Sequence, residues 1–576
     1  YGGQIRVSFP ACSRNGQKEG GNAMALNLVF IYADADVWLL EFFLCLIPIV
    51  LGYAEIHYRL PLIPSLLYQP KPEILADIPY RVEPGHPLPV YILAKDAHRF
   101  PAVLERAVLK IWNESGHQFE SELIRDSIPL TTSWWEYLHH VSLPDSFCGH
   151  LKAAVEFVVR YGKKRSKFYN HNYRRLSFKP FQIYASEENL PATGSMLWGD
   201  LHVHSSYTCD QVEFGASLPA LRAAASALGL QFLAITDHSY DLDDHHHNFL
   251  RNHRELPKWK KLIKEIENLN RNRQGTDPIL LLGEEVSARN SKGETVHFLV
   301  INSKRFFAGS GDSAEHYVRK RTEWSIHEIL DALPAESIGI AAHPGVIPPR
   351  LEQILLKRGS YQENDLVHEN LSGLQILNGV RNDSFEQAKN QWISLLLKGY
   401  RRFIYAGSDA HGNFNGYRQI RLPFFSLHES RHHLLGQKRT GVFLHSGLIS
   451  PTALVDALRS GCCFISEGPA MDLCLALNDT CYRMGETAPR TNLIISMKAN
   501  STAEFGALHD IRIIWGDFAK KKEFVIYRFR TRLVYEFEKL VDFHPRSDGY
   551  IRIEIESRKE NDSFKAYSNP IWVRKG

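Results

Sequence analysis

Three styles of hydrophobic patterning follow one another along the chain. Between about Glu73 and Ser186 the apolar residues come in short alternating or continuous runs. These are PLPVYILAKD (87–96), RAVLKIWNE (106–114), EYLHHVSL (136–143), HLKAAVEFVVRY (150–161) and KPFQIYAS (179–186), separated by turn residues. Such runs predict antiparallel strands stacked as a β-sandwich. The tail from about Gly468 repeats the style in MDLCLAL, NLIISMKAN, DIRIIWGD, FVIYRF, YIRIEIES and NPIWVRK. The middle reads differently. Helical spacing predicts helices over Leu218–Leu228, Pro257–Asn270, Ser325–Leu333, Ser384–Leu397 and Pro451–Ser460. Between them lie the apolar strands FLAITD (232–237), ILLLGEEVS (279–287), HFLVIN (297–302), IGIAAHP (338–344), LQILN (374–378) and FIYAGSDA (403–410). Strands without polar alternation are those covered on both faces. Their alternation with helices predicts a barrel or an open parallel sheet, with the polar strand ends as the place for chemistry.

The first part of the chain follows none of these styles. Lys18-Glu19-Gly20-Gly21 precedes Met24, and codons for those residues can spell a purine-rich ribosome-binding sequence. Residues 1–23 are therefore read as translated leader or an expression remnant. Residues 37–54, VWLLEFFLCLIPIVLGYA, carry two open readings. As a helix they would just span a bilayer and anchor the protein at a membrane or in the cell envelope. As a buried hairpin or helix they would pack on the following domain and leave the protein cytoplasmic. Asp34, Asp36 and Glu41, with no basic n-region after Met24, make a poor signal peptide. The expected organisation is thus leader (1–23), apolar segment (24–72), β-sandwich-like domain (73–190), α/β domain (191–466) and a second β-sandwich-like domain (467–576).

Composition narrows the class. A hydrophobic fraction of 44% and a charged fraction of 23% exclude a mainly disordered chain. A net charge of +4 with no long basic block does not suggest a nucleic-acid partner. Eight cysteines are too few for a disulfide scaffold. Cys474 and Cys481 either bridge a hairpin or lie buried unpaired, Cys462-Cys463 reads as core, and Cys209 reads as a small loop residue. The 27 histidines are the unusual count, and they cluster.

His202 and His204 alternate on one face of an extended segment, so one metal ion can take both imidazoles. Asp210 follows. Further along come Asp237-His238, Gly283-Glu284-Glu285, His297, Ala342-His343-Pro344-Gly345 and Ser408-Asp409-Ala410-His411-Gly412, each at a strand end. A single histidine at a strand end is usually a hydrogen-bonded structural residue. A whole series in one α/β domain points to a metal centre. His245, His246 and His247, and Arg319, Lys320 and Arg321, read as solvated loop and helix-start residues.

In this order, HxH, TDH, GEE, H, AHPG and SDAHG, residues 196–466 resemble the polymerase and histidinol phosphatase (PHP) superfamily, and within it the CehA/McbA-like metallohydrolases. SEGPAMDL (466–473) and AYSNPIWV (566–573) resemble that subgroup's closing β domain. The resemblance implies a distorted (β/α)7 barrel holding two to three divalent ions. His202, His204, Glu285 and Asp409 would bind one. Glu285 would bridge to a second held by His297 and His343, and Asp210, His238 and His411 would hold a third. Asp210 stands where some relatives carry histidine, and the pattern of glycine, any residue, glutamate favours Glu285 over Glu284 as ligand.

Imidazole and carboxylate without thiolate suit Zn²⁺, Mn²⁺ or Fe²⁺. Two such ions about 3.5–4 Å apart lower the pKa of a bridging water, so a hydroxide is the expected nucleophile. Asp237 is read as either a group that orients ligands or shuttles protons, or a strand-end helix cap or solvated turn residue. The catalytic set is then Asp237, His238, Glu285, Asp409 and His411. The expectation is a metal-dependent phosphoesterase acting on a small phosphate ester. The alternatives are a carboxylic-ester, amide or carbamate hydrolase and, from another class, a glycan- or polymer-binding protein with an inactive barrel.

Overall fold

A computed structural model describes residues 71–173, 179–208, 215–245, 248–309, 324–412, 414–416, 419–421, 426–428, 431–445 and 447–575. Segment 37–54 lies outside them, and among the described residues no helix is long and apolar enough to cross a membrane. The architecture is mixed α/β with strands predominating.

Residues 73–185 form two sheets. Glu73–Asp77, Leu88–Lys95 and Trp134–Val141 make the smaller one, facing a seven-stranded sheet centred on Ala102–Asn113 and Gly149–Tyr161. Their inward residues, among them Ile92, Leu104, Ile111, Val155 and Phe157, bury an apolar core between the sheets. That is the sandwich the short runs predict.

The middle of the chain supplies the strands that position the site. We number them β1 (Met196–His204), β2 (Phe232–Ile235), β3 (Ile279–Arg289), β4 (Thr295–Ile301), β5 (Ile338–Ala341), β6 (Gly373–Leu377) and β7 (Phe403–Ala406), with a short β8 (Ala410–His411). They are hydrogen-bonded in sequence order from β1 to β7. Pairings β1–β2, β2–β3, β5–β6 and β6–β7 are parallel, whereas β4 runs antiparallel to both neighbours. β8 then pairs in parallel with Val203 and His204 of β1, bringing the two ends of the run together. Strands β2, β5, β6 and β7 are buried throughout. Helices α1 (Leu218–Ala227), α2 (Pro257–Arg271), α3 (Ile326–Ala332), α4 (Asp383–Leu397) and α5 (Pro451–Ser460) contribute apolar residues to the same core. Ser325 caps α3: its Oγ accepts from Glu328 N, and its N–H donates to the Glu328 carboxylate at 2.7 Å.

One expected strand is broken. FIYAGSDA leaves extended conformation after Ala406, because Gly407 runs against β1 and Asp409 has a left-handed backbone (φ 57°). A Cβ on Gly407 would stand 2.6 Å from the Cβ of His202, so no larger residue fits that crossing.

The sheet does not stop at residue 466. β9 (Arg439–Phe443) pairs antiparallel with the first half of β1, and β10 (Cys463–Ser466) with β9. β10 then pairs with Asp562–Ser568, and the ladder continues through Gly549–Lys559, Ala507–Asp517 and Lys522–Val534. A four-stranded sheet built on Ala470–Leu477 and Leu493–Asn500 packs on this extension, and its Leu473, Ile495 and Met497 join the core that also holds Leu233 and Ile340. Cys474 and Cys481 are joined across its first hairpin. Hydrogen bonding and apolar packing both cross position 466. A chain cut after Ser466 should therefore be insoluble or unfolded, and calorimetry of the full chain should show the central and C-terminal parts melting together. A soluble, folded 191–466 fragment would show that the two parts are independent.

Candidate metal centre

The buried carboxylate of Glu285 is the hub of the site. Its Oε1 lies 3.4 Å from His202 Nε2, 2.8 Å from His297 Nδ1 and 3.4 Å from His343 Nε2. Its Oε2 lies 3.4 Å from His204 Nε2 and 3.0 Å from His238 Nδ1. Five imidazoles, from strands β1 and β4 and the loops after β2 and β5, thus converge on one side chain. Glu284 points the other way, as alternation along β3 requires: its carboxylate accepts from Phe307 N at 3.0 Å. Burial pushes the Glu284 carboxyl well above its ordinary pKa against that hydrogen bond, and the charge of Asp243 adds to the rise.

His202, His204, Asp409 and Glu285 form a compact group. The Nε2 atoms of His202 and His204 are 3.2 Å apart, and each is 3.2 Å from Asp409 Oδ1 and 3.4 Å from a Glu285 oxygen. Donor atoms gathered this closely can share one ion at bond lengths of about 2 Å. Two further groups of ligand atoms, all within 4.8 Å of one another, are His238–Glu285–His297 and His204–His238–His411. His238 serves both with different nitrogens: Nδ1 faces Glu285, and Nε2 lies 3.5 Å from His411 Nε2. His238 Nδ1 and Glu285 Oε2 are buried and close, yet neither makes a hydrogen bond, an arrangement that costs stability unless a cation lies between them. The donor set fits a metal ion.

Supporting groups orient these ligands. The Gln375 amide donates to Gly407 O at 3.2 Å, so its oxygen accepts from His202 Nδ1 at 3.0 Å and turns Nε2 toward Glu285 and Asp409. His411 Nδ1 donates to Asp409 O at 3.2 Å, which turns its Nε2 toward His238. Asn378 Nδ2 donates to Asp409 Oδ2 at 3.3 Å. Asp200, on the same face of β1 as His202, accepts from Ser408 N and Gly436 N, both at 2.9 Å, and its burial raises its pKa. Arg358 stands 3.3 Å from His297 Nε2, and Tyr361 donates to the His297 carbonyl. His343 and Asp409 are both left-handed non-glycine residues (φ 31° and 57°), a backbone cost of about 1–3 kcal/mol each that cooperating contacts must hold. Gly345 lets the His343 turn close on α4, where a Cβ would come within 1.9 Å of Ser384 O.

Sequence reading named Glu285, His202, His204, His238, His297, His343, Asp409 and His411, and the structure brings these side chains together. Asp237 lies beside them with both oxygens engaged in the turn after β1. It accepts from Ser205 N (2.7 Å), Ser205 Oγ (2.6 Å) and Thr208 N (3.0 Å), so it braces a buried turn rather than capping a helix or facing solvent. Asp210, Cys209, His246, His247, Arg319, Lys320 and Arg321 lie outside the described residues. Asp200 and Gln375 were missed. Their signals were faint: Asp200 shares the parity of the HxH pair, and Gln375 is the lone polar residue of an apolar strand.

The electrostatics are those of packed, buried opposite charges. Burial lowers the proton affinity of His202, but Asp409 and Glu285 outweigh it and raise its pKa to about 10. Burial and the neighbouring His238 bring His204 down to about 4. Burial and His204 hold His411 well below the ordinary imidazole value. Burial opposes ionisation of Glu285 and Asp409, yet His297 and His202 hold Glu285, and His202 holds Asp409, well below the usual carboxylate range.

No family model and no curated protein matches the chain. Solved structures that do match include a trypsin-activated alpha-2-macroglobulin from Escherichia coli, at 9% identity over 90% of this chain and 25% of that one (TM-score 0.15). A β-glucuronidase from Parabacteroides merdae matches at 8% identity over 88% and 65% (TM-score 0.17). A β-D-mannosidase from Dictyoglomus thermophilum matches at 8% identity over 88% and 67% (TM-score 0.19). The chain thus spans a quarter of the macroglobulin's length and just under two thirds of the glucuronidase's.

Two outcomes follow for the site. Glu285→Gln should weaken metal binding at least about tenfold, since an amide is a poor bridge and cannot offset cationic charge. Glu284→Gln should be mild, because its amide resembles the protonated acid that burial favours. Equilibrium dialysis of both variants with Co²⁺ checks this, and the opposite ranking would refute the assignment. The metal-free chain should also release about one proton from His202 on binding metal at pH 8, where a pKa near 10 keeps it protonated, and affinity should rise with pH up to that value. Calorimetric titration in two buffers of different ionisation enthalpy measures the release.

Proposed function

We propose that this chain is a metal-dependent hydrolase of the PHP type, most closely suited to phosphoesters. The observation that carries the reading is the buried cluster of His202, His204, Asp409 and Glu285, sharing Glu285 with a second group of imidazoles. Strands β1–β7, with β8 returning to β1 and β4 reversed, are read as the distorted (β/α)7 barrel of that superfamily. The strand-end location of the ligands supports this.

Zn²⁺, Mn²⁺ or Fe²⁺ ions held there would supply Lewis acidity and a nucleophile at neutral pH. The chain's own residues do the rest. Gln375 and the Asp409 carbonyl fix the imidazole tautomers, Asn378 steadies the free oxygen of Asp409, and burial of Glu285 excludes competing water. The two carboxylates and the neutral imidazoles offset the ions' charge only in part, leaving the centre cationic and suited to an anionic substrate such as a phosphate ester.

Metal analysis of purified protein, followed by assay on phosphomonoesters, phosphodiesters, aryl esters and carbamates, tests the reading. Two to three ions per chain and chelator-sensitive phosphoester hydrolysis are expected. His202→Ala and Asp409→Asn should each lower turnover by more than about 10²-fold without unfolding the protein. Faster turnover of carboxyl esters or carbamates would transfer the assignment to that chemistry. Absence of metal after metal-replete expression would overturn it.

A further inference from the structure

The N-terminal sandwich reaches into the candidate centre through one buried carboxylate. Asp77 ends the first strand of the smaller sheet and is 4% exposed. A carboxylate buried at a strand end must find donors; besides Ile78 N, which donates to its Oδ1 at 2.8 Å, those of Asp77 come from 337 to 339 residues away. Its Oδ2 accepts from Phe414 N at 3.0 Å, and its Oδ1 from Asn415 N at 3.1 Å and Gly416 N at 2.8 Å. Three consecutive backbone N–H groups thus form a concave anion-binding nest around one side chain. Neighbours from the same sandwich close the grip: Tyr80 N donates to Phe414 O at 3.2 Å, Asn415 Nδ2 donates to Gln182 O at 2.6 Å, and the Tyr91 ring meets Phe414 edge-on at 6.2 Å.

His411 lies between this grip and a second anchor. Upstream, Asp409 N donates to His202 O at 2.8 Å and β8 pairs with the end of β1. Gly412, with φ 64°, backs onto Gly215 and Ala216 so closely that a Cβ would come within 2.6 Å of Ala216 N. The imidazole of His411 therefore sits on a short span held at both ends, one end by the barrel strands and the other by a different domain.

We propose that Asp77 is a positioning residue for His411: the N-terminal sandwich is a working part of the metal centre, and its Asp77 clamp sets the affinity of the His204–His238–His411 group. The effect on metal rests on the metal-dependent reading above; the clamp itself does not.

The test uses the full chain with Asp77→Ala, Asp77→Asn and, as a control in the same sandwich, Glu156→Gln. Glu156 accepts from Tyr169 Oη at 2.9 Å and pairs with Lys110 and Lys167, so its loss weakens that domain without touching 414–416. Hydrogen exchange by mass spectrometry reads the clamp, and Co²⁺ titration reads the ligands. Exchange across 403–416 should rise about tenfold or more in Asp77→Ala, less in Asp77→Asn, and not in Glu156→Gln. About one equivalent of Co²⁺ should be lost or weakened in the Asp77 variants, with the ion at His202, His204, Glu285 and Asp409 retained. If Asp77→Ala fails to fold, Asp77→Asn decides. Unchanged exchange in a folded Asp77 variant overturns the clamp, and raised exchange with unaltered Co²⁺ binding overturns its role in positioning His411. A wild-type chain that takes up no Co²⁺, while exchange still rises in Asp77→Ala, upholds the clamp and overturns the metal reading.

Discussion

Everything in the central part of this molecule is arranged around the burial of one carboxylate among five imidazoles. Glu285 is 1% exposed, and a charge so placed is tolerable only where opposite charge surrounds it. The consequences spread outward. His202 must be held by Gln375, Asp409 must adopt a left-handed backbone, and Gly407 must be without a side chain. Even the order of strands serves this end, since β1, β3, β4 and the loops after β2, β5 and β7 each deliver one or more of the groups that converge there.

Much of that arrangement was legible in the sequence, and the reasons are local. Pro257 and Pro451 open helices as proline at the first position does, and the apolar residues 279–283 and 338–341 lie in strands because nothing polar interrupts them before the site. The candidate ligands stood out because imidazoles and carboxylates at strand ends have no common structural use in such number. Alternation also showed that Glu284 and Glu285 face opposite sides. It could not say which side held the imidazoles, since that depends on how β3 twists against β2 and β4.

What escaped reading was the long-range part. Asp77 and Phe414 are separated by 337 residues, and nothing near either announces the other. The break after Ala406 follows from a crossing of two backbones, not from the residues FIYAGSDA themselves. The run of the sheet past residue 466 depends on pairing between Phe464 and Ser568, a partnership that no periodicity encodes. Local pattern specifies elements; contacts between distant elements decide where one domain's sheet becomes another's.

That shared ladder has a consequence for biosynthesis. A ribosome delivers β10 well before the strand Asp562–Ser568 that covers its open edge, and the intervening strands must emerge first. Throughout that interval the nascent chain presents an unpaired row of amides beside an apolar surface, the usual template for misassembly between neighbouring polypeptides. Strands β1–β9 and the candidate ligands can gather early, but their protection from aggregation waits on strands translated long after them. Slow elongation or premature release in this region would therefore harm yield more than the same event in the N-terminal sandwich, whose strands pair with one another within residues 73–185.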